Sequence, residues 1–367
     1  MREANSTTLD LRRSSERRLN KEMKLAYLAF SDKGYELAKE LAEKLGGAAF
    51  RSGQTQSLAE WTAEHFASDE GLVFVGAAGI AVRAISPFVA DKTTDPAVVV
   101  IDEKALNVIP ILSGHLGGAN DLARRIAEVT GAGCVITTAT DINGVFAVDE
   151  WSKRQGCKLI EKERIVRVSG DLLGGAKVTV KSRWDIEGEA PEGITVVGAE
   201  GCGTDGAAAD VTMDAFSKDK DTLHIVPPVC VLGIGCRKGT KKEAIELLLE
   251  KLKEETGLLT ESVCGAASID IKKEEEGLLD FCADHGWDID FYSSDELAEV
   301  PGDFSGSEMV KSVTGVDNVC ERSAALKAGN AEGAATGGIV VKKMAENGVT
   351  MAVAMKEYRP DWEWKDE

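Results

Sequence analysis

A histidine framed by glycines, in Ser113-Gly114-His115-Leu116-Gly117-Gly118-Ala119-Asn120-Asp121, is the segment of this chain best equipped for chemistry. It follows an apolar run, NVIPIL (107–112), and precedes an amphipathic one, so it reads as a strand-to-helix turn. Glycines at such a turn let backbone N–H groups approach an anion, and the helix start adds a favourable dipole. His115 brings an imidazole able to give or take a proton near neutral pH. Ser113, Gly114, Gly117, Gly118 and Asn120 would surround a bound group. The same residues also fit a plain turn in which Asn120 or Asp121 caps the helix.

Three other stretches have comparable equipment. Gly76-Ala77-Ala78-Gly79-Ile80-Ala81-Val82-Arg83 sets a helix start and an arginine after a strand, so Gly79 and Arg83 fit either a carboxylate pocket or a tight turn with a surface cation. Gly233-Ile234-Gly235-Cys236-Arg237-Lys238-Gly239 repeats the theme with two cations. It has neither the G-x-G-x-x-G spacing of a dinucleotide fold nor the G-x-x-x-x-G-K-[ST] of a P-loop. Cys236 is either a nucleophile or, with no histidine nearby in sequence, a structural thiol. Thr137-Thr138-Ala139-Thr140-Asp141 ends an apolar run where α/β sheets bind ligands, and its hydroxyls and carboxylate suit a substrate contact or a helix cap. A G-x-S-x-G nucleophile elbow is absent from the sequence, which disfavours a serine hydrolase of that type.

Bulk properties narrow the function classes. With a formal charge of −19, the surface repels phosphate backbones and anionic lipid, arguing against nucleic-acid and membrane partners. Any anionic small ligand must then meet a local basic patch. Eight cysteines without a C-x-x-C pair, and four histidines without ligand spacing, predict free thiols and no metal site of the protein's own. No apolar run reaches the length of a membrane helix. A cytoplasmic protein is expected.

The elements that must position these residues are α/β in texture. Thirty-eight glycines against 8 prolines fit many strand-to-helix turns, and 367 residues imply about two or three domains. Residues 1–22 are polar, Arg/Ser-rich and without an apolar face, and are read as a disordered leader. From 23 to 145 the pattern is an open α/β sheet, with strands at KLAYLAF, GLVFVGA, AVVVID, NVIPIL and CVITTATD (134–141). Residues 146–228 form a smaller, β-richer middle module, closed by TLHIVPP as a boundary. A second α/β domain runs from VCVLGIGC through 229–357, ending in two antiparallel strands around Glu346-Asn347-Gly348. The tail, 358–367, is expected to fray.

Taken in order, these motifs resemble the cobalt-precorrin-5A hydrolase family, the cobalamin biosynthesis proteins CbiG. The resemblance rests on GAAGIAVRAISPF, DKTTDPAVVVIDE, IPILSGHLGGANDLARRIA, ITTATD, NGVFAVDEW, LGIGCRKGT, ASIDIKKEEEGLL and GVDNVCERSAAL, and spans roughly 23–355. It implies a three-part layout and a hydrolase that opens the ring A lactone of cobalt-precorrin-5A and releases acetaldehyde, giving cobalt-precorrin-5B. It also implies no cofactor, the cobalt arriving inside the anionic tetrapyrrole substrate, with neighbouring corrin-pathway enzymes as further partners. Carboxylates on that substrate would account for Arg83, Arg124, Arg237 and Lys238 in an acidic protein, with Gly233, Gly235, Thr137 and Thr138 lining the same sites.

Lactone opening needs a general base and donors for an oxyanion. His115 is the candidate base, Asp141 its orienting partner, and the N–H groups around Gly117-Gly118 the donors. A non-catalytic carrier of corrinoid intermediates would use the same pockets without turnover. A nucleotide-dependent transferase or reductase lacks its phosphate fingerprints.

Overall fold

A computed structural model describes residues 23–54, 56–91, 94–198, 209–330 and 337–364. The leader expected at 1–22 and Cys202 lie outside them. The chain divides into two compact units, residues 1–144 and 145–367.

The first unit is built on β1 (Leu25–Ala29), α1 (Asp32–Leu45), β2 (Ala48–Arg51), α2 (Leu58–Ser68), β3 (Gly71–Val75), α3 (Ala78–Ile85), β4 (Ala97–Ile101), β5 (Asn107–Leu112), α4 (Ala119–Thr130), β6 (Gly133–Cys134) and α5 (Ala139–Asn143). Its sheet runs β2-β1-β3-β4-β5-β6, parallel throughout except for the β4–β5 pair. β1, β3 and β4 are buried along their whole length, which is why they read as unbroken apolar runs. Alternate side chains feed two cores. Leu25, Tyr27, Val73 and Val75 meet Leu41 of α1 and Leu122 and Ile126 of α4. Ala26, Leu28, Leu72 and Phe74 meet Trp61 of α2 and Ile85 of α3.

The strand expected over 134–141 is a correction. β6 holds two residues at the sheet edge and both are exposed. Val135 keeps one further bond to Val108, and Thr138 then opens α5. Cys134, Val135 and Thr137 are exposed, so the β-branched residues of this segment alone do not extend the strand. Asp141 therefore projects from a short helix.

The second unit carries two sheets. α6 (Val148–Arg154), β7 (Lys158–Leu159), α7 (Ile165–Leu173), β8 (Val178–Ser182), β9 (Ile194–Gly198), β10 (Val211–Met213) and β11 (Leu223–Val226) supply a sheet ordered β7-β11-β10-β8-β9, parallel except at β7. Within TLHIVPP, Leu223–Val226 is thus a buried strand, and only Pro227-Pro228 form the link.

The last sheet takes β12 (Cys230–Cys236), α8 (Lys242–Thr256), β13 (Val263–Ile269), α9 (Glu276–Asp284), β14 (Ile289–Tyr292), α10 (Ser294–Glu299), α11 (Glu308–Thr314), α12 (Cys320–Asn330), β15 (Gly338–Glu346) and β16 (Val349–Met355). Its order is β14-β13-β12-β16-β15, with β15 and β16 antiparallel. Asn347 and Gly348 both take positive φ, 49° and 82°, the two-residue turn the sequence announced. Leu248, Leu249 and Leu252 of α8 and Phe281 of α9 cover one face, while Ala324 and Ala328 of α12 cover the other.

The tail does not fray through residue 364. Trp362 stacks on Trp151 with centroids 4.8 Å apart, and the Trp151 indole N–H donates to the Asp361 carbonyl. Phe146 meets both Trp362 and Trp364 edge-on. Two buried indoles supply apolar area that outweighs the polar residues between them. Among the described residues no helix is long and apolar enough to cross a membrane.

Candidate functional site

The turn between β5 and α4 is wound tightly. Ser113 takes φ 54° and Gly118, the residue capping α4, takes φ 84°. The Gly118 amide donates to the His115 carbonyl, Ala119 to Ser113 and Asn120 to Gly114. A Cβ on Gly117 would stand 2.3 Å from the Ser113 Cβ, so only glycine lets the turn close. These bonds consume three amides of the turn, including that of Gly118. Among the described residues the Gly117 N–H donates to no backbone carbonyl.

His115 is thereby held against α5. Its Nε2 lies 2.9 Å from Asp141 Oδ2 and 3.4 Å from the Thr140 hydroxyl, and its side chain is 14% exposed. Asp141 also accepts from Asn120 Nδ2 at 3.1 Å and from Arg124 at 2.5 Å. Burial works against charge on Asp141, but the hydrogen bond and charge of His115 and the charge of Arg124 outweigh it, and its pKa is lowered. An ionised carboxylate only accepts, so His115 Nε2 carries a proton and the basic nitrogen of the neutral ring is Nδ1.

The pKa shift has a consequence for stability. A lowered folded pKa contributes stability that is fully present above the unfolded aspartate pKa of about 3.9 and is lost as pH falls through the folded value. Asp141→Asn is expected to cost about 1–3 kcal/mol at pH 7, where it strands Arg124 and His115, with a smaller deficit below about pH 4. Urea melts of both proteins across that range measure it. A deficit independent of pH would mean that Asp141 acts by shape alone.

The structure separates the sequence candidates around this turn. Ser113, Gly114, His115, Gly118, Asn120, Thr138 and Asp141 share one hydrogen-bond network, and Gly117 lies in the same turn. Asn120, however, is 1% exposed and spends its amide on Thr138 and Asp141, so it positions Asp141 instead of meeting a ligand. Arg124, read as a substrate anchor, is paired with Asp121 and Asp141. Thr137 is exposed. Gly79 and Arg83 are exposed on α3, where Arg83 reaches back to the Gly79 carbonyl. Thr140, one of the hydroxyls of the 137–141 segment, is buried, with its oxygen beside His115 Nε2.

In the second unit the GIGCRKG segment ends β12 at the carboxyl edge of its parallel strands, the edge where open α/β sheets bind ligands. A cleft of about 1360 Å³ opens there, lined among others by Gly235, Arg237, Lys238, Lys272, Lys343 and Val313. Arg237 and Lys238 are exposed on its rim, and Arg237 lies across Gly348 of the β15–β16 turn. Lys272 pairs with Glu275, whose pKa is lowered because a bond from the Gly239 amide and the Lys272 charge outweigh burial. Gly233 is no ligand contact. It is buried, and a Cβ there would fall 1.7 Å from the Cys320 carbonyl. Burial pushes the Cys236 thiol up, so it stays protonated at neutral pH and does not serve as a ready nucleophile.

Comparison with known proteins gives two family matches. The cobalamin synthesis G N-terminal model matches residues 60–141 and the cobalamin synthesis G C-terminus model residues 230–354. A cobalt-precorrin-5A hydrolase of Priestia megaterium is 36% identical over 80% of this chain and 80% of its own length. One from Salmonella typhimurium is 30% identical over 90% of this chain and 97% of its own. A solved cobalamin biosynthesis protein G homolog from Sulfolobus solfataricus is 23% identical, covering 92% of this chain and 100% of that one, with a TM-score of 0.38.

Proposed function

The chain belongs to the cobalamin synthesis G family, and from that premise we propose that it hydrolyses cobalt-precorrin-5A, opening the ring A lactone and releasing acetaldehyde to give cobalt-precorrin-5B. One observation carries this reading: relatives named for that activity align with at least 80% of the chain at 30–36% identity. The cobalt belongs to the substrate, and the protein needs no cofactor of its own.

Water must attack the lactone carbonyl. His115 Nδ1 takes the water's proton, and Asp141 stabilises the imidazolium through Nε2–H. The Gly117 amide faces the developing oxyanion, the role expected of both glycines but left to one by the bond of Gly118. The protonated His115 then supplies the proton that fragmentation of the opened intermediate requires. Arg237 and Lys238 supply carboxylate recognition at the cleft of the second unit, whose volume exceeds that of ordinary small-ligand pockets.

A carrier of corrinoid intermediates would bind the same macrocycle unchanged. The two readings part in a single-turnover incubation of stoichiometric protein with cobalt-precorrin-5A. The hydrolase converts the macrocycle to the ring-opened, two-carbon-shorter product, and a carrier returns it intact.

A further inference from the structure

The middle sheet carries a second arrangement of hydrolytic groups that uses none of the residues assigned above. We propose that Ser217, His224 and Glu161 form a nucleophilic serine centre competent for acyl transfer from carboxylic esters, cyclic esters included.

His224 sits on β11, the strand between β7 and β10, and is 2% exposed. Its Nε2 lies 2.7 Å from the Ser217 hydroxyl and its Nδ1 2.9 Å from Glu161 Oε2. Glu161 stands just beyond β7 with φ 48°, a left-handed conformation uncommon for a residue with a side chain, and the same carboxylate oxygen also accepts the His224 backbone N–H. A carboxylate at Glu161 can only accept, so with that group ionised Nδ1 bears the proton. Nε2 of the neutral ring is then an acceptor, and Ser217 must donate its hydroxyl proton to it. That polarity is the one a nucleophile, its base and the base's orienting group require.

Ser217 is fixed and reachable. It lies in the loop from β10 to β11, where its N–H donates to the Gly257 carbonyl at 2.8 Å, and the neighbouring Ala215 carbonyl accepts from Leu259 at 3.0 Å. Its side chain is half-buried, while Lys218, Asp219 and Lys220 beside it are exposed. The Lys218 amide, directly after the nucleophile, donates to no backbone carbonyl among the described residues and suits an oxyanion donor. The sequence hid this set because the three residues share no local motif, and a triad is recognised by geometry and not by spacing.

In the reaction, Ser217 Oγ bonds to the acyl carbon as its proton passes to His224 Nε2. The ester C–O bond breaks and the departing oxygen takes that proton. Water then bonds to the acyl carbon, gives a proton to Nε2, and Ser217 leaves with it, so the sum is ester plus water to acid plus alcohol.

The test treats the full chain with a fluorophosphonate probe and maps the adduct by peptide mass spectrometry. The expected result is one adduct per chain on Ser217, abolished in Ser217→Ala and formed about a hundredfold more slowly in Glu161→Gln and His224→Gln. Glu161→Gln keeps the side chain's shape, so it remains informative should the histidine variant fold poorly. Absence of an adduct on Ser217 in the unaltered protein, or an unchanged rate in folded Glu161→Gln, would overturn the proposal and leave the three residues as a structural tie.

Discussion

Replacing His115 with alanine is expected to lower turnover of cobalt-precorrin-5A by about a hundredfold or more, the scale on which acid–base groups act. The fold is expected to survive the change. Asp141 would lose one donor but keep Asn120 and Arg124, and the turn around residue 115 is held by backbone bonds that do not involve the imidazole. Turnover measured beside a urea melt separates the two effects. A His115→Ala protein of normal stability and near-normal rate would move the base elsewhere, and the GIGCRKG cleft would be the next place to look.

Gly233→Ala is expected to act on stability with comparable force. Its Cβ would intrude on the Cys320 carbonyl and on the Ala324 side chain, 2.9 Å away. Both belong to α12, which fills one face of the last sheet against Val231, Ala267 and Ala354. The helix must shift as a body, because its backbone has no flexible end to yield. Overpacking of this kind costs about 3 kcal/mol or more, a fall in Tm of about 10 °C for a domain of this size. Gly170→Ala is the matching control, since a Cβ there meets nothing within 4 Å and the helix gains propensity. Equal melting temperatures for Gly233→Ala and the unaltered protein would mean that α12 docks more loosely than described.

What the sequence revealed and what it hid follow from the range of each interaction. β1, β3, β4 and β12 were legible because strands covered on both faces must be apolar throughout. The Asn347-Gly348 hairpin was legible because its backbone angles restrict the residues that fit. The strand expected over 134–141 failed because β propensity cannot report that the segment lies at an open edge. Trp362 and Trp364 were read as a loose tail because their partners, Phe146 and Trp151, lie two hundred or so residues earlier.

The candidate site divides in the same way. Its glycines and His115 announced a turn, and His115 Nε2 stands 2.9 Å from Asp141, which residue types alone offered as a substrate contact or a helix cap. The tasks of individual residues did not show. Asn120 looked like a ligand contact and is a buried brace, Arg124 pairs with Asp141, and Gly233 looked like room for a substrate and is room for α12. In each case the deciding partner is distant in sequence.

The reaction proposed for this chain is hydrolysis with loss of a two-carbon fragment, expected to run without a cofactor belonging to the protein. Its most direct measurement is the aldehyde itself: chelator-treated, dialysed protein is incubated with enzymatically made cobalt-precorrin-5A, and volatile carbonyl compounds are trapped and counted against the macrocycle consumed. One acetaldehyde per macrocycle is expected over many turnovers, with nothing added. Tight binding of the macrocycle with no aldehyde released, or release that strictly requires an added nucleotide or metal, would contradict it.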